Sequence, residues 1–182
     1  SALKSIDQGL IQSVIDAYND VNRLNLYVIR QLKFGLERNL FKELGFKTPK
    51  EFLGYRIVAN DIKSIADNAK NIVDNLITFK RLIESKMLFL KESVDEEVYT
   101  QIFNFNSLVH QLFEESLKTM FKRDHEHADK IISRLESFVT LENDLITLIS
   151  SKKLDPNVSS ILRLILDSSR RIVDYSRNIA EV

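Results

Sequence analysis

The residues from Gly54 to Leu76, GYRIVANDIKSIADNAKNIVDNL, return near the end of the chain, and this repetition limits the fold more than any other feature. Sliding 161–182 back by 107 positions puts Arg163 on Arg56, Ile172 on Ile65, Asp174 on Asp67, Asn178 on Asn71 and Ile179 on Ile72. In the same register Arg170 meets Lys63, Glu181 meets Asp74 and Pro156 meets Pro49. A register shared over so many positions indicates a duplicated unit.

Each copy carries two helical stripes. The apolar stripe is Val58, Ile62, Ile65, Ala69, Ile72, Leu76, and in the second copy Ile165, Ser169, Ile172, Ser176, Ile179. Spacings of three and four make it the core-facing seam of an amphipathic helix. The polar stripe is Arg56, Asn60, Lys63, Asp67, Asn71, Asp74, matched by Arg163, Asp167, Arg170, Asp174, Asn178, Glu181. Opposite charges one turn apart, Lys63 with Asp67 and Arg170 with Asp174, form on any helix a solvated face of pairs contributing a few tenths of a kcal/mol each. Recurrence of the whole stripe makes it the candidate working surface.

The flanking sequence supplies helices and their punctuation. A first helix is expected over about 6–43, with a seam of Val14, Tyr18, Val21, Leu24, Val28, Leu32 and Leu36, and Gly45 as its C-terminal cap. Thr48-Pro49-Lys50-Glu51 is a capping box with proline at the first helical position. It opens a second helix that contains the first signature and runs toward Lys91, with a break near Glu84-Ser85. Ser93-Val94-Asp95-Glu96 predicts the start of a third helix, 94–122, whose aromatics Tyr99, Phe103, Phe105, Phe113 and Phe121 read as core. A fourth helix, 125–151, opens at Asp124 and carries Ile131, Leu135, Phe138, Leu141, Leu145 and Leu148. Asp155-Pro156 opens the fifth, which holds the second signature.

No stretch alternates with period two. The expectation is an all-α antiparallel bundle of about five helices in two repeated units. Residues 93–182 form a three-helix unit. Residues 1–92 form an incomplete one, two helices matching the fourth and fifth at the 107 offset, without a first helix. Apolar surface left bare by that gap predicts a homodimer or a borrowed helix.

Lysine plus arginine equals aspartate plus glutamate at 26 each, so the whole-chain electrostatic footprint of a nucleic-acid binder is absent. There is no cysteine, hence no disulfide or thiolate ligand, in keeping with a cytosolic protein. No apolar run approaches the roughly 20 residues of a membrane span. The first twenty residues lack a leader pattern, and the Ser-Ala start suggests a piece of a longer protein. His125 and His127 are two apart and point about 200° away from each other on a helix, so they do not face one ion. The glycines at 9, 35, 45 and 54 form no phosphate loop, and no serine or histidine sits in a nucleophile motif. The chain reads as a non-enzyme without a cofactor. A second class, a metal-binding helical protein, draws on Asp67, Asp167, Asp174 and Glu181, or on Asp16, Asp20, Asp129 and Glu136.

The segments KSIADNAKNIVD (63–74) and RRIVDYSRNIAE (170–181) resemble the repeated signature of the PhoU family, and VNRLNLYVIRQL (21–32) resembles the helix before its first copy. The resemblance implies units of three antiparallel helices packed side by side. It implies a cytoplasmic regulator, peripheral to the membrane through its partner, that restrains phosphate uptake by contacting the ATPase subunit of a phosphate ABC transporter or a sensor protein. The repeated polar stripe then offers the contact on Arg56, Lys63, Asp67 and Asn71 with Arg163, Arg170, Asp174 and Asn178. Family members that bind metal use an acid pair at i, i+4; here Lys63 and Arg170 replace its first acid, and a fixed cation there repels a divalent ion. Archaeal relatives often carry an AbrB-like domain upstream, which gives a third reading, the dimerisation or sensor domain of a transcription regulator.

Overall fold

The chain has two prolines, Pro49 and Pro156, and both take the first helical turn behind a side-chain cap. Thr48 Oγ1 accepts from the Glu51 N–H at 3.1 Å, and Glu51 reaches back to the N–H of Lys47 at 2.8 Å. Asp155 accepts from the Asn157 N–H at 2.8 Å. These caps satisfy amides that have no partner inside the helix.

The computed structural model describes residues 8–38, 40, 42, 43, 45–85 and 95–182. Among them the helices are α1 (Gln8–Glu37), α2 (Pro49–Glu84), α3 (Glu96–Lys122), α4 (His125–Ser133), α5 (Leu135–Ser151) and α6 (Pro156–Glu181). No strand occurs among the described residues, and the bundle is all α with the duplicated unit as expected.

The signature helices α2 and α6 form the most extensive interface in the fold. They run antiparallel: a Cβ on Gly54, near the start of α2, would lie 2.9 Å from Val182 at the end of α6. The second signature helix is the hub, packing also on α3, α4 and α5, while α1 packs on α2 and on no other helix to a comparable extent. Twelve residues of α6 are buried, among them Ser169 and Ser176. Both serines donate to the carbonyl four residues back, at 2.8 and 2.7 Å, so small polar residues sit in the seam without an unpaired hydroxyl. Val58, Ile65 and Phe79 of α2 belong to the same buried cluster as the apolar residues of α3 to α6.

Several boundaries differ from the sequence reading. Glu37 ends α1, and eleven residues separate it from Pro49, against four between Ser151 and Pro156. The 107 offset therefore holds for α2 and α6 and is lost by about two helical turns between α1 and α5. Gly45 does adopt positive φ, at 87°, but within that longer connection rather than at a helix cap. The predicted break at Glu84-Ser85 is present, with Ser85 as the cap. The boundary drawn at 92/93, the tail toward Lys91 and Ser93 itself lie outside the described residues. The residue that caps α3 is Asp95, which accepts from the amides of Glu97 and Val98.

The fourth helix is two. Arg134 interrupts it, its N–H turning to the Ile131 carbonyl, while Ser133 and Ser137 bond to backbone carbonyls three residues back. Such back-bonding competes with the helical ladder, and the Arg134 guanidinium holds the bend against Glu115 of α3 at 2.5 Å. Arg123 ends α3 in the left-handed region at φ 55°, where its side chain meets Glu51 of α2. Of the five aromatics assigned to the core of α3, Phe103 and Phe121 are exposed.

Candidate functional site

The two polar stripes occupy equivalent places. Since α2 and α6 meet through their seams, residues two positions off the seam turn about 200° away. Each stripe thus lies toward the helix that precedes it in its own unit. In the first unit Tyr18 of α1 acts on Lys63 of the stripe, and Lys70, beside the stripe, stands 5.9 Å from the Tyr18 ring centre. Arg163 donates to Ser150 Oγ at 2.7 Å, and Arg170 faces Glu142 at 3.6 Å, both on α5. The geometry yields two separate charged surfaces rather than one continuous face.

Within the stripes the expected i, i+4 pairs form. Lys63 Nζ lies 2.5 Å from Asp67 Oδ2, both side chains about a third exposed at 37% and 33%. Hydrogen bonding to Asp67 raises the Lys63 ammonium, so its positive charge is firmly held. Arg170 bonds Asp174 at 3.0 Å. Arg56, Asn71 and Arg163 are exposed. Asn178 departs from the stripe, because it turns into the interface between α2 and α6 and donates to the carboxylate of Asp61.

Of the carboxylates offered as metal ligands, four hold a basic partner one turn away: Asp67 with Lys63, Asp167 with Arg171, Asp174 with Arg170, Glu181 with Arg177. Among the described residues no three His, Asp or Glu side chains cluster as ligands. His125 and His127 are exposed at the start of α4, where Asp124 accepts from the His127 N–H.

Two groups escaped the sequence reading. Glu142, on α5, is the acid that faces Arg170; burial raises its carboxyl and the Arg170 charge opposes that rise. Nothing in its local pattern marks it, because the contact joins helices. Asp61 and Asn68 belong to neither stripe named from the sequence, yet both are buried while Ile62 and Ala69 are only half-buried. The seam of α2 thus runs Val58, Asp61, Ile65, Asn68, Ile72, a spacing of three and four that hydropathy does not mark because two members are polar.

Asp61 has one oxygen buried without a hydrogen-bond partner. Burial raises its carboxyl, and the bond from Asn178 partly offsets this. A folded-state pKa above the unfolded one means that folding takes up a proton. The stabilisation is complete below the unfolded value and is lost as pH rises through the folded one. Asp61→Asn keeps the shape and removes the charge, so it is expected to stabilise at neutral pH by about 1–2 kcal/mol. That is a rise of a few degrees in Tm, shrinking toward pH 4 as the native carboxyl protonates. Melting curves at both pH values check this; a lower Tm at neutral pH would contradict it.

No helix among the described residues is long and apolar enough to cross a membrane. A family model described as PhoU domain matches residues 1–76 and 104–182, which hold both signature segments. No curated protein and no solved structure matches the chain.

Proposed function

The chain belongs to the PhoU family, a family of phosphate-uptake regulators, and on that premise we propose that it restrains phosphate uptake by docking its two charged stripes on a transport component. The partner we propose is the ATPase subunit of a phosphate ABC transporter, or a sensor protein coupled to it, met in the cytoplasm. The observation that supports this reading is the recurrence of the Lys63–Asp67 and Arg170–Asp174 pairs at equivalent positions in the two units, each pair partly exposed. Partly exposed ion pairs hold a fixed charge pattern and remain open to a partner with the complementary one. The role is non-enzymatic, resting on the family and on the lack of a nucleophile motif in the sequence. It requires no metal, since the acids of the stripes already carry counter-charges.

Charge reversal at Asp67→Lys with Asp174→Lys tests it. The stripes are partly solvated, so each lost contact is that of a rim charge, which acts chiefly on association rate and salt dependence. Affinity for the purified ATPase is expected to fall about tenfold, or about 1.4 kcal/mol, with the fold retained and the melting temperature lowered by a few degrees at most, since each lost pair is worth roughly 0–1 kcal/mol. Uptake in phosphate-replete cells is expected to rise. Unchanged affinity and uptake in a folded variant would reduce the stripes to solvated faces.

A further inference from the structure

The α3 and α5 helices leave a cleft on the side of the second unit that faces away from α6. They run antiparallel, since Lys152 at the end of α5 holds Asp95 at the start of α3, and Arg134 at the start of α5 holds Glu115 farther along α3. Ser169 of α6 donates to Asn106 of α3 at 2.7 Å, and Arg170 of α6 faces Glu142 of α5. Asn104 and Asp144, each two positions from one of those contacts, turn about 200° away and line the cleft. The cleft is therefore separate from the docking stripes. Its floor is apolar and well packed: Phe105 and Leu145 are buried, and the Phe105 ring meets that of Phe138 at 6.1 Å. Leu108, Leu141 and Leu148 form the walls, with Leu141 39% exposed. The rim is acidic. At one end Glu97 is neutralised by Lys152 at 2.7 Å. Asp144 is exposed, α5 carries no basic residue, and no ion pair reaches Asp144 among the described residues.

We infer that this cleft receives a basic amphipathic helix of a partner protein, which seats apolar side chains between the leucines and sets an arginine or lysine against Asp144. Size decides against a small molecule. The cleft holds about 280 Å³ and is open along one side, whereas a site that encloses a drug-sized ligand takes roughly 300–1,000 Å³. Two antiparallel helices with an apolar floor between them instead accept the ridge of a third helix, whose anchors recur at i, i+4 and i+7. The α3 rim from Glu97 to Leu108 is about 16 Å long, against about 10 Å for three such anchors. Charge sets the kind of partner: an acidic rim repels the phosphates of lipid and nucleic acid and favours a cationic segment. A second copy of the chain is the other candidate occupant, and the test separates it from a partner protein.

The experiment is fluorescence anisotropy with two labelled helical peptides. They share a leucine face at i, i+4 and i+7 and differ in the flanking charge, arginine in one and glutamate in the other. Each is titrated with the wild-type chain, with Asp144→Arg and with Leu141→Asn. Both altered residues are exposed, and circular dichroism confirms that each variant keeps its helices. Wild type is expected to bind the arginine peptide at least about tenfold tighter than the glutamate peptide. Asp144→Arg is expected to abolish that preference, and Leu141→Asn to weaken the arginine peptide about tenfold. A wild type that binds neither peptide would overturn the inference. So would equal binding of the two, or a preference that Asp144→Arg leaves unchanged. Light scattering is expected to give Leu141→Asn the same mass as wild type; a smaller mass would put a second copy in the cleft and exclude the partner helix.

Discussion

Phe79→Ala is expected to destabilise the chain by about 3–5 kcal/mol, the range for emptying a buried aromatic site. Phe79 is 1% exposed on α2, and its ring lies 5.7 Å from that of Tyr99 on α3. The side chain therefore belongs to the first repeat by sequence and to the core of the second by packing. Two consequences make the result sharper than an ordinary cavity. The Tyr99 hydroxyl is buried without a partner, and burial raises it well above the usual phenol range. Removing the neighbouring ring admits space but no hydrogen-bonding group, so the site gains nothing in return for the lost contacts. The shared cluster also predicts that both repeats unfold together. Chemical denaturation followed by circular dichroism is expected to show one transition, displaced to lower denaturant with little change in slope. Two transitions, with only the first displaced, would mean that the repeats are independent folding units.

Much of the architecture was legible because it is written locally. Thr48-Pro49 and Asp155-Pro156 announce helix starts through the chemistry of a cap and a fixed φ, and both caps form. The repeated signature locates the helix pair at the centre of the fold, where Val58 and Ile65 of α2 are buried like their counterparts Ile165 and Ile172 of α6. What was not legible depends on neighbours. Leu24 and Val28 continue an apolar period as well as Val14 and Val21 do, yet they are exposed, because α1 meets a single helix and a straight helix drifts off any one line of contact. Asp61 and Asn68 are polar members of a buried seam, tolerated where Asn178 and the Ser64 carbonyl supply partners. The bend at Arg134 comes from a contact with Glu115, nineteen positions back in the chain, which no window of local sequence contains. The stripe residues were visible as a pattern, but not that Asn178 leaves it to join the two units.

Duplicated residues need not carry equal energies, and Arg170→Ala is expected to separate the copies. Lys63 pairs with one acid on its own helix, at a third exposure, and Lys63→Ala should cost roughly 0–1 kcal/mol. Arg170 instead faces two acids. Asp174 is its counterpart of Asp67, but Glu142 is on α5, and the side chains of Arg170 and Glu142 are 24% and 19% exposed. Burial already raises the Glu142 carboxyl, with the neighbouring Asp167 and Asp174 charges adding to the rise and Arg170 opposing it. Without the guanidinium, folding leaves Glu142 poorly solvated among like charges. Breaking a fully buried pair costs about 3–5 kcal/mol, and the partial exposure here reduces the expectation to about 2–3 kcal/mol. The pH dependence has a definite sign. Losing Arg170 raises the folded-state pKa of Glu142 further above the unfolded one. The variant's deficit is small below the unfolded value and grows as pH rises through the folded value. The melting difference between variant and wild type should therefore be larger at pH 7 than at pH 4. Adding Glu142→Gln removes the stranded charge and should recover most of the loss. If Arg170→Ala costs no more than Lys63→Ala, or if Glu142→Gln fails to restore it, the contact between α5 and α6 is only another surface pair. The second unit would then owe its tighter packing to its apolar seam alone.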